Sequence, residues 1–206
     1  MRLLKVCEKP LDGIIVIEME TVNDTAGSEM ITYDVRDLSA IGILDIFVQE
    51  NQSKSVKNVL RGMHFQQKYD QAQIVRVIEG KVYDVVVDIR RNSPTFGKYF
   101  GTYLTDNNHK MVYMSKGFAH GFLTISKYAV MHYKCSQFYH PQDEDRIRFD
   151  DPDVGIVWPC VEKSNLIISD KDMSAITLRE YSRRIEGGRD ENFMQSYGSG
   201  FPTLSE

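Results

Sequence analysis

The stretch RGMHFQQ, residues 61–67, sets one histidine, His64, three places after Arg61 and two before Gln66. An imidazole can bind a metal, move a proton near neutral pH, or simply pack. A β-barrel metal site would need two histidines two apart on one strand, then a glutamate and a third histidine, all converging on one ion. Here the second place is Gln66, a poor ligand, and His64 with His120 does not close a first-row metal site, so no metal is expected. Proton transfer and packing both stay open for His64.

Two strand-like runs carry further candidates. In KVYDVVVDIRR, residues 81–91, alternation sets Tyr83, Val85, Val87 and Ile89 on one face and Val82, Asp84, Val86 and Asp88 on the other. A carboxylate on a covered face needs a partner or a wet cavity, so Asp84 is either a pocket residue or part of a solvated face. In AVMHYKCSQFYH, residues 129–140, both faces mix polar and apolar groups, which suits a barrel enclosing a ligand cavity better than a dry core. Tyr133 in this run is either a packed tyrosine with a satisfied hydroxyl or a proton donor.

The elements that must position these residues are short. Val-, Ile-, Tyr- and Phe-rich runs recur between the turn formers Glu79-Gly80-Lys81, Asn92-Ser93-Pro94, Asp106-Asn107-Asn108, Lys116-Gly117 and His140-Pro141. That rhythm predicts an all-β sandwich or small barrel, with strands also at DGIIVIEME, LDIFVQEN and IRFDD. Amphipathic helices of parallel α/β spacing are missing between the strands. The last thirty residues are rich in glycine and charge, so the core is expected to end near residue 176. Residues 177–206 then form an extension, with a short helix at LREYSRRIEG and a loose or partner-docked tail beyond it.

Composition narrows the class of function. With 42% hydrophobic and 26% charged residues the chain should fold, and 206 residues suit one domain. A net charge of -4 disfavours a nucleic-acid partner. Three cysteines, Cys7, Cys135 and Cys160, are an odd number at wide spacing, matching neither a disulfide framework nor zinc pairs, and so point to a reducing compartment. The N-terminus lacks the apolar stretch of a signal peptide, and no membrane-spanning run occurs, so a cytoplasmic protein without a membrane partner is expected.

Taken together, NVLRGMHFQ, EGKVYDVVVDIRRNSPTFGKYFG, GFAHGF, YKCSQFYHP, DDPDVGIVWP and ISDKD, in that order, resemble the dTDP-4-dehydrorhamnose 3,5-epimerase family, and FVQENQSKS looks like another family segment. The likeness runs from about residue 45 to 175. It implies a cupin-type jelly roll with short peripheral helices, a homodimer exchanging N-terminal strands, no cofactor and no metal. The implied substrate is a nucleotide-diphosphate 4-keto-6-deoxy sugar, or a related 4-keto-heptose, epimerised at C3, C5 or both. The resemblance assigns His64 as base, Asp172 as its supporting carboxylate and Tyr133 as the acid on the other side of the ring. It maps substrate contacts onto Gln49, Arg61, Asp84, His120, Tyr139, Glu144 and Lys171, with Tyr139 as a stacking face for the nucleobase.

Two places depart from the family pattern. Where a lysine usually precedes the L-V-R strand beside the developing oxyanion, this chain has Gln73; Lys68 or His120 could stand in for it. The usual D-E-R-G segment is DTAG, residues 24–27, so Ala26 replaces a diphosphate-binding arginine, a loss that Arg179, Arg183 and Arg184 of the tail could offset. Two rival functions follow: a 3,4-ketoisomerase using the same enolate, and a catalytically inactive nucleotide-sugar binding protein.

Overall fold

A computed structural model of the chain describes residues 4–159 and 162–187. Among them the strands are β1 (Leu4–Glu8), β2 (Ile14–Met19), β3 (Thr21–Asp24), β4 (Gly27–Met30), β5 (Gln49–Val56), β6 (Leu60–Gln66) and β7 (Gln73–Glu79). They continue as β8 (Lys81–Asp88), β9 (Tyr99–Thr105), β10 (Lys110–Met114), β11 (Phe118–Thr124), β12 (Tyr128–Cys135) and β13 (Glu144–Arg146). The helices are α1 (Val35–Ala40), α2 (Asp170–Met173) and α3 (Leu178–Gly187). One sheet runs β1-β2-β10-β7-β12-β5 and the second β13-β6-β11-β8-β9, while β3 and β4 form a separate hairpin. All pairings between these strands are antiparallel. The result is the expected cupin-type jelly roll, two sheets packed face to face. No helix among the described residues is long and apolar enough to cross a membrane.

The interior between the sheets is filled by Val75, Val77, Val82, Val86, Val112, Met114, Phe118 and Met131. The outer face of the six-stranded sheet is covered by the segment carrying Leu38, Ile43 and Phe47, which packs on Ile15, Ile17, Ile74 and Met111. The outer face of the other sheet meets α3, whose Leu178 and Tyr181 join Met63, Phe65, Val85 and Val87. Strand β8 is thus buried on both faces, which explains its unbroken valines and removes the solvated-face alternative for Asp84, only 2% exposed.

Two of the sequence strings shared with the family hold the fold. Asp88, fully buried, accepts hydrogen bonds from Arg90 Nε (2.9 Å), Ser93 Oγ (2.6 Å) and Thr95 Oγ1 (2.6 Å), folding the loop of DIRRNSPTFG onto one carboxylate. Burial opposes its charge, but these donors outweigh burial and keep the carboxyl below its ordinary pKa. In DDPDVGIVWP, buried Asp151 accepts from Asp153 N and Val154 N and, at 2.7 Å, from Leu178 N, fastening the start of α3.

Several expectations change in detail. LDIFVQEN becomes strand only from Gln49, because Phe47 packs into the cover of the outer face instead. IRFDD holds only an isolated bridge, Ile147 to Ile176. Strands β1, β3 and β4, of four or five residues each, are too short to be announced by apolar alternation. Cys7 and Cys135 are free thiols, while Cys160 and the tail from residue 188 lie outside the described residues.

Candidate active site

A strand should place residues three apart on opposite faces, yet Arg61 and His64 both line one cleft. The break lies between them. Gly62 has φ +129°, and a Cβ there would come within 2.5 Å of Gly121 Cα, so only glycine lets β6 and β11 approach this closely. The pairing of β11 with β6 shifts register between His120 and Phe122, beside the same point.

The cleft has a volume of about 340 Å3 and opens between the two sheets. His64 enters from β6. Its Nε2 is 2.6 Å from Oδ1 of Asp172, which α2 supplies and buries to 4% exposure. Ser169, the helix cap, accepts from Asp172 N and fixes that turn. Burial works against the Asp172 charge, but the hydrogen bond and charge of His64 and the Ser169 contact prevail, and the carboxyl stays below its ordinary pKa. An ionised carboxylate only accepts, so Nε2 is the donor in this contact, and in the neutral ring the lone pair lies on Nδ1. His120 repeats the arrangement on β11, with Nε2 2.7 Å from buried Asp84.

The opposite wall comes from the six-stranded sheet. Tyr133, Cys135 and Met131 project inward from β12, Gln73 from β7, and Gln49, Asn51 and Ser53 from β5. Burial foremost, with Cys135 nearby, holds the Tyr133 phenol above its usual pKa, so it is a protonated donor at neutral pH. Burial pushes the Cys135 thiol up to about 11, which leaves it neutral.

A third group forms the rim. Gln49 Oε1 accepts from Tyr139 N (3.0 Å), and Tyr139 donates its hydroxyl to Glu144 (3.1 Å). Gln66, where a metal cupin would place a second histidine, has its amide fully engaged: it donates to Tyr69 O and Phe138 O and accepts from His140 N. Among the described residues no group of three His, Cys, Asp or Glu side chains is placed to hold a metal ion. Outside the cleft lining, Asp70 lies beside the Gln71 and Gly117 backbone, and its carboxyl is pushed up to about 6 by burial. A pKa raised on folding favours the fold below about pH 4 and loses that contribution as pH rises through about 6. Asp70→Asn, which retains an acceptor oxygen, should therefore raise stability at pH 7.5 by on the order of 2 kcal/mol. The gain should vanish near pH 4 in urea titrations at both pH values.

Of the residues expected in the site, Gln49, Arg61, His64, Gln73, His120, Tyr133, Tyr139 and Glu144 line the cleft. Asp172 and Asp84 stand directly behind the two histidines. Lys171 is not brought in: α2 turns Asp172 inward, and its neighbour in sequence stays exposed. The tail arginines do not reach the cleft either, since Arg179 pairs with Asp153 at 3.0 Å and Arg184 with Asp145 at 3.6 Å. Ala26 sits at the exposed tip of the β3–β4 hairpin. Asn51, Ser53 and Gln71 were missed, although Gln49, Asn51, Ser53 and Ser55 make a polar stripe of period two, which signals a wet interior. Ser53 Oγ and Gln71 Oε1 are buried without a partner, positions that ligand hydroxyls would complete.

Known proteins resemble this chain over most of its length. The model of the dTDP-4-dehydrorhamnose 3,5-epimerase family matches residues 8–180. A dTDP-4-dehydrorhamnose 3,5-epimerase of Methanothermobacter thermautotrophicus is 45% identical over 170 residues, 82% of this chain and 92% of that one. The enzyme of the same name from Escherichia coli is 40% identical over 185 residues, 87% and 97% of the two chains. The structure of the Legionella pneumophila dTDP-6-deoxy-D-glucose-3,5-epimerase, in complex with dTDP-4-keto-L-rhamnose, superposes with a TM-score of 0.82 at 39% identity, covering 85% of this chain and 93% of that one. The chain therefore belongs to the dTDP-4-dehydrorhamnose 3,5-epimerase family and is an isomerase of the carbohydrate-epimerase class.

Proposed function

We propose that the protein inverts C3, C5 or both of a dTDP-linked 4-keto-6-deoxyhexose, or of a related 4-keto-heptose, through an enolate and without a metal. The observation that carries this reading is the His64–Asp172 pair on one wall of the cleft and a protonated Tyr133 on the wall formed by the other sheet. The C4 ketone acidifies the hydrogens on C3 and C5. His64 removes one through Nδ1, the electron pair moves onto the C4 oxygen, and Asp172 steadies the imidazolium that forms. Tyr133 returns a proton to the same carbon from the other face, which inverts it. Arg61 offers a planar charged fork for the diphosphate, and exposed Tyr139 a face for the base.

Gln73 and His120 are the lining donors we assign to the C4 oxygen. A neutral amide stabilises an enolate less than an ammonium does, so Gln73→Lys should speed exchange of the C3 and C5 hydrogens with solvent by about tenfold at pH 8. Unchanged or slower exchange would remove Gln73 from that role. The function itself is tested by incubating dTDP-, UDP- and GDP-linked 4-keto-6-deoxy sugars with the protein and reading product configuration by NMR. Inversion at C3 or C5 of the dTDP sugar is the expected result. A carbonyl moved to C3 would make the protein a ketoisomerase, and bound but unchanged sugar a binding protein.

We assign a homodimer in the cytoplasm. Supporting it are the exposed apolar side chains Val22, Val35, Leu44, Ile46 and Val48, between the N-terminal hairpin and the edge strand β5, and the unpaired thiols.

A further inference from the structure

Arg146 is not among the residues lining the cleft, yet its guanidinium stands among the charges that surround His64. In the ladder between β13 and β6, Arg146 is the direct partner of His64, and Glu144 that of Gln66. Both β13 side chains face the same way. Glu144 Oε1 lies 4.0 Å from His64 Nδ1, while Asp172 Oδ1 lies 2.6 Å from Nε2, so two carboxylates flank one imidazole. Arg146 touches both carboxylates. Its Nη2 donates to Glu144, and its Nε is 3.3 Å from Asp172 Oδ1, an ion contact without an aligned hydrogen bond, since Nε is buried and otherwise unpartnered.

We propose that Arg146 is a positioning residue for proton abstraction: it holds Glu144 and Asp172 at fixed places and offsets one of their two negative charges, so that His64 meets substrate as a neutral base. The inference rests on the function proposed above. A base of this kind needs one compensating carboxylate, which steadies the imidazolium as it forms. Two such charges would hold the proton on the ring before substrate arrives.

The other groups facing His64 do not do this work. His120 on β11 lies opposite in the ladder but is satisfied by Asp84 of β8. Arg61 of β6 donates to Ser55 and contributes its charge to the surroundings of Tyr133 on β12, and Tyr139 adds only a phenol bonded to Glu144. On α2, Lys171 is exposed. Arg146 alone among these cations contacts both carboxylates.

The test is the pH profile of kcat/KM for solvent-hydrogen exchange into dTDP-4-keto-6-deoxyglucose, measured on the wild type, Arg146→Gln, Arg146→Lys and Arg146→Gln/Glu144→Gln. Arg146→Gln should move the acidic limb upward by about one pH unit, with activity lost at pH 6 and largely kept at pH 9. Arg146→Lys should bring the limb most of the way back, and so should removing the Glu144 charge in the double variant. A limb that stays put in Arg146→Gln, or that Arg146→Lys fails to restore, overturns the proposal. If Arg146→Gln does not fold, Glu144→Gln alone should lower the limb, and an unmoved limb there is equally fatal. A wild type without exchange would instead defeat the proposed function, and the inference with it.

Discussion

His64→Asn should exchange the C3 and C5 hydrogens of dTDP-4-keto-6-deoxyglucose between about 10² and 10⁴ times more slowly than the wild type, the range a positioned general base contributes. The amide has no lone-pair nitrogen to accept a proton, though it fills nearly the same space. KM should change little, because the proposed grips on the diphosphate and base, Arg61 and Tyr139, line other parts of the cleft. Asp172→Asn should fall in the same range: an amide cannot carry the compensating charge, and it can turn its N–H₂ towards Nε2 and so reverse the tautomer. The side chain of His64 is 34% exposed, so its replacement should leave urea unfolding nearly unchanged. Exchange in His64→Asn within tenfold of wild type would mean that another group is the base.

The second large effect separates the two walls of the cleft. Tyr133→Phe removes the proposed donor but not the base, so deuterium should still enter from solvent at the abstracted position, returned by His64 to the face it came from. The recovered sugar should be labelled with its configuration retained, and formation of inverted product should drop by about 10² or more. Burial keeps the wild-type phenol above its ordinary pKa near 10, so inversion should not be lost to ionisation of Tyr133 anywhere below about pH 10. Equal loss of exchange and inversion in Tyr133→Phe would place Tyr133 in abstraction or binding rather than in reprotonation.

Much of this arrangement could be read from the residues, and the parts that could not have physical reasons. Alternation located β8 and β12 and sorted their side chains into two faces, because a strand has period two, but which face of each turns inward was settled only by the packing of the sheets. The histidine remained ambiguous on local grounds. What fits His64 to the proposed role of base is a carboxylate 108 residues later in the chain, and no periodicity joins β6 to α2. Arg61 was also beyond an alternation rule, since the break at Gly62 alone turns it into the same cleft as His64. Arg146 attracted no notice because the expected strand, IRFDD, begins one residue after it, whereas the strand that forms, Glu144–Arg146, pairs with the one that bears His64. Conversely, two of the strings shared with the family, around Asp88 and Asp151, hold loops and α3, while GFAHGF brings His120 into the cleft. Lys171, a contact the resemblance implied, stays outside the cleft because adjacent side chains on a helix point about 100° apart, and α2 turns Asp172 inward.

The proposed inversion requires His64 and Tyr133 to address opposite faces of one sugar ring. The most direct test is a crystal structure of the His64→Asn protein with dTDP-4-keto-6-deoxyglucose bound. The expected complex has the residue 64 side chain and the Tyr133 hydroxyl on opposite faces of the ring, each within about 3.5 Å of C3 or C5, with the diphosphate at Arg61. A ring lying with both side chains on one face, or bound away from Tyr133, would contradict it.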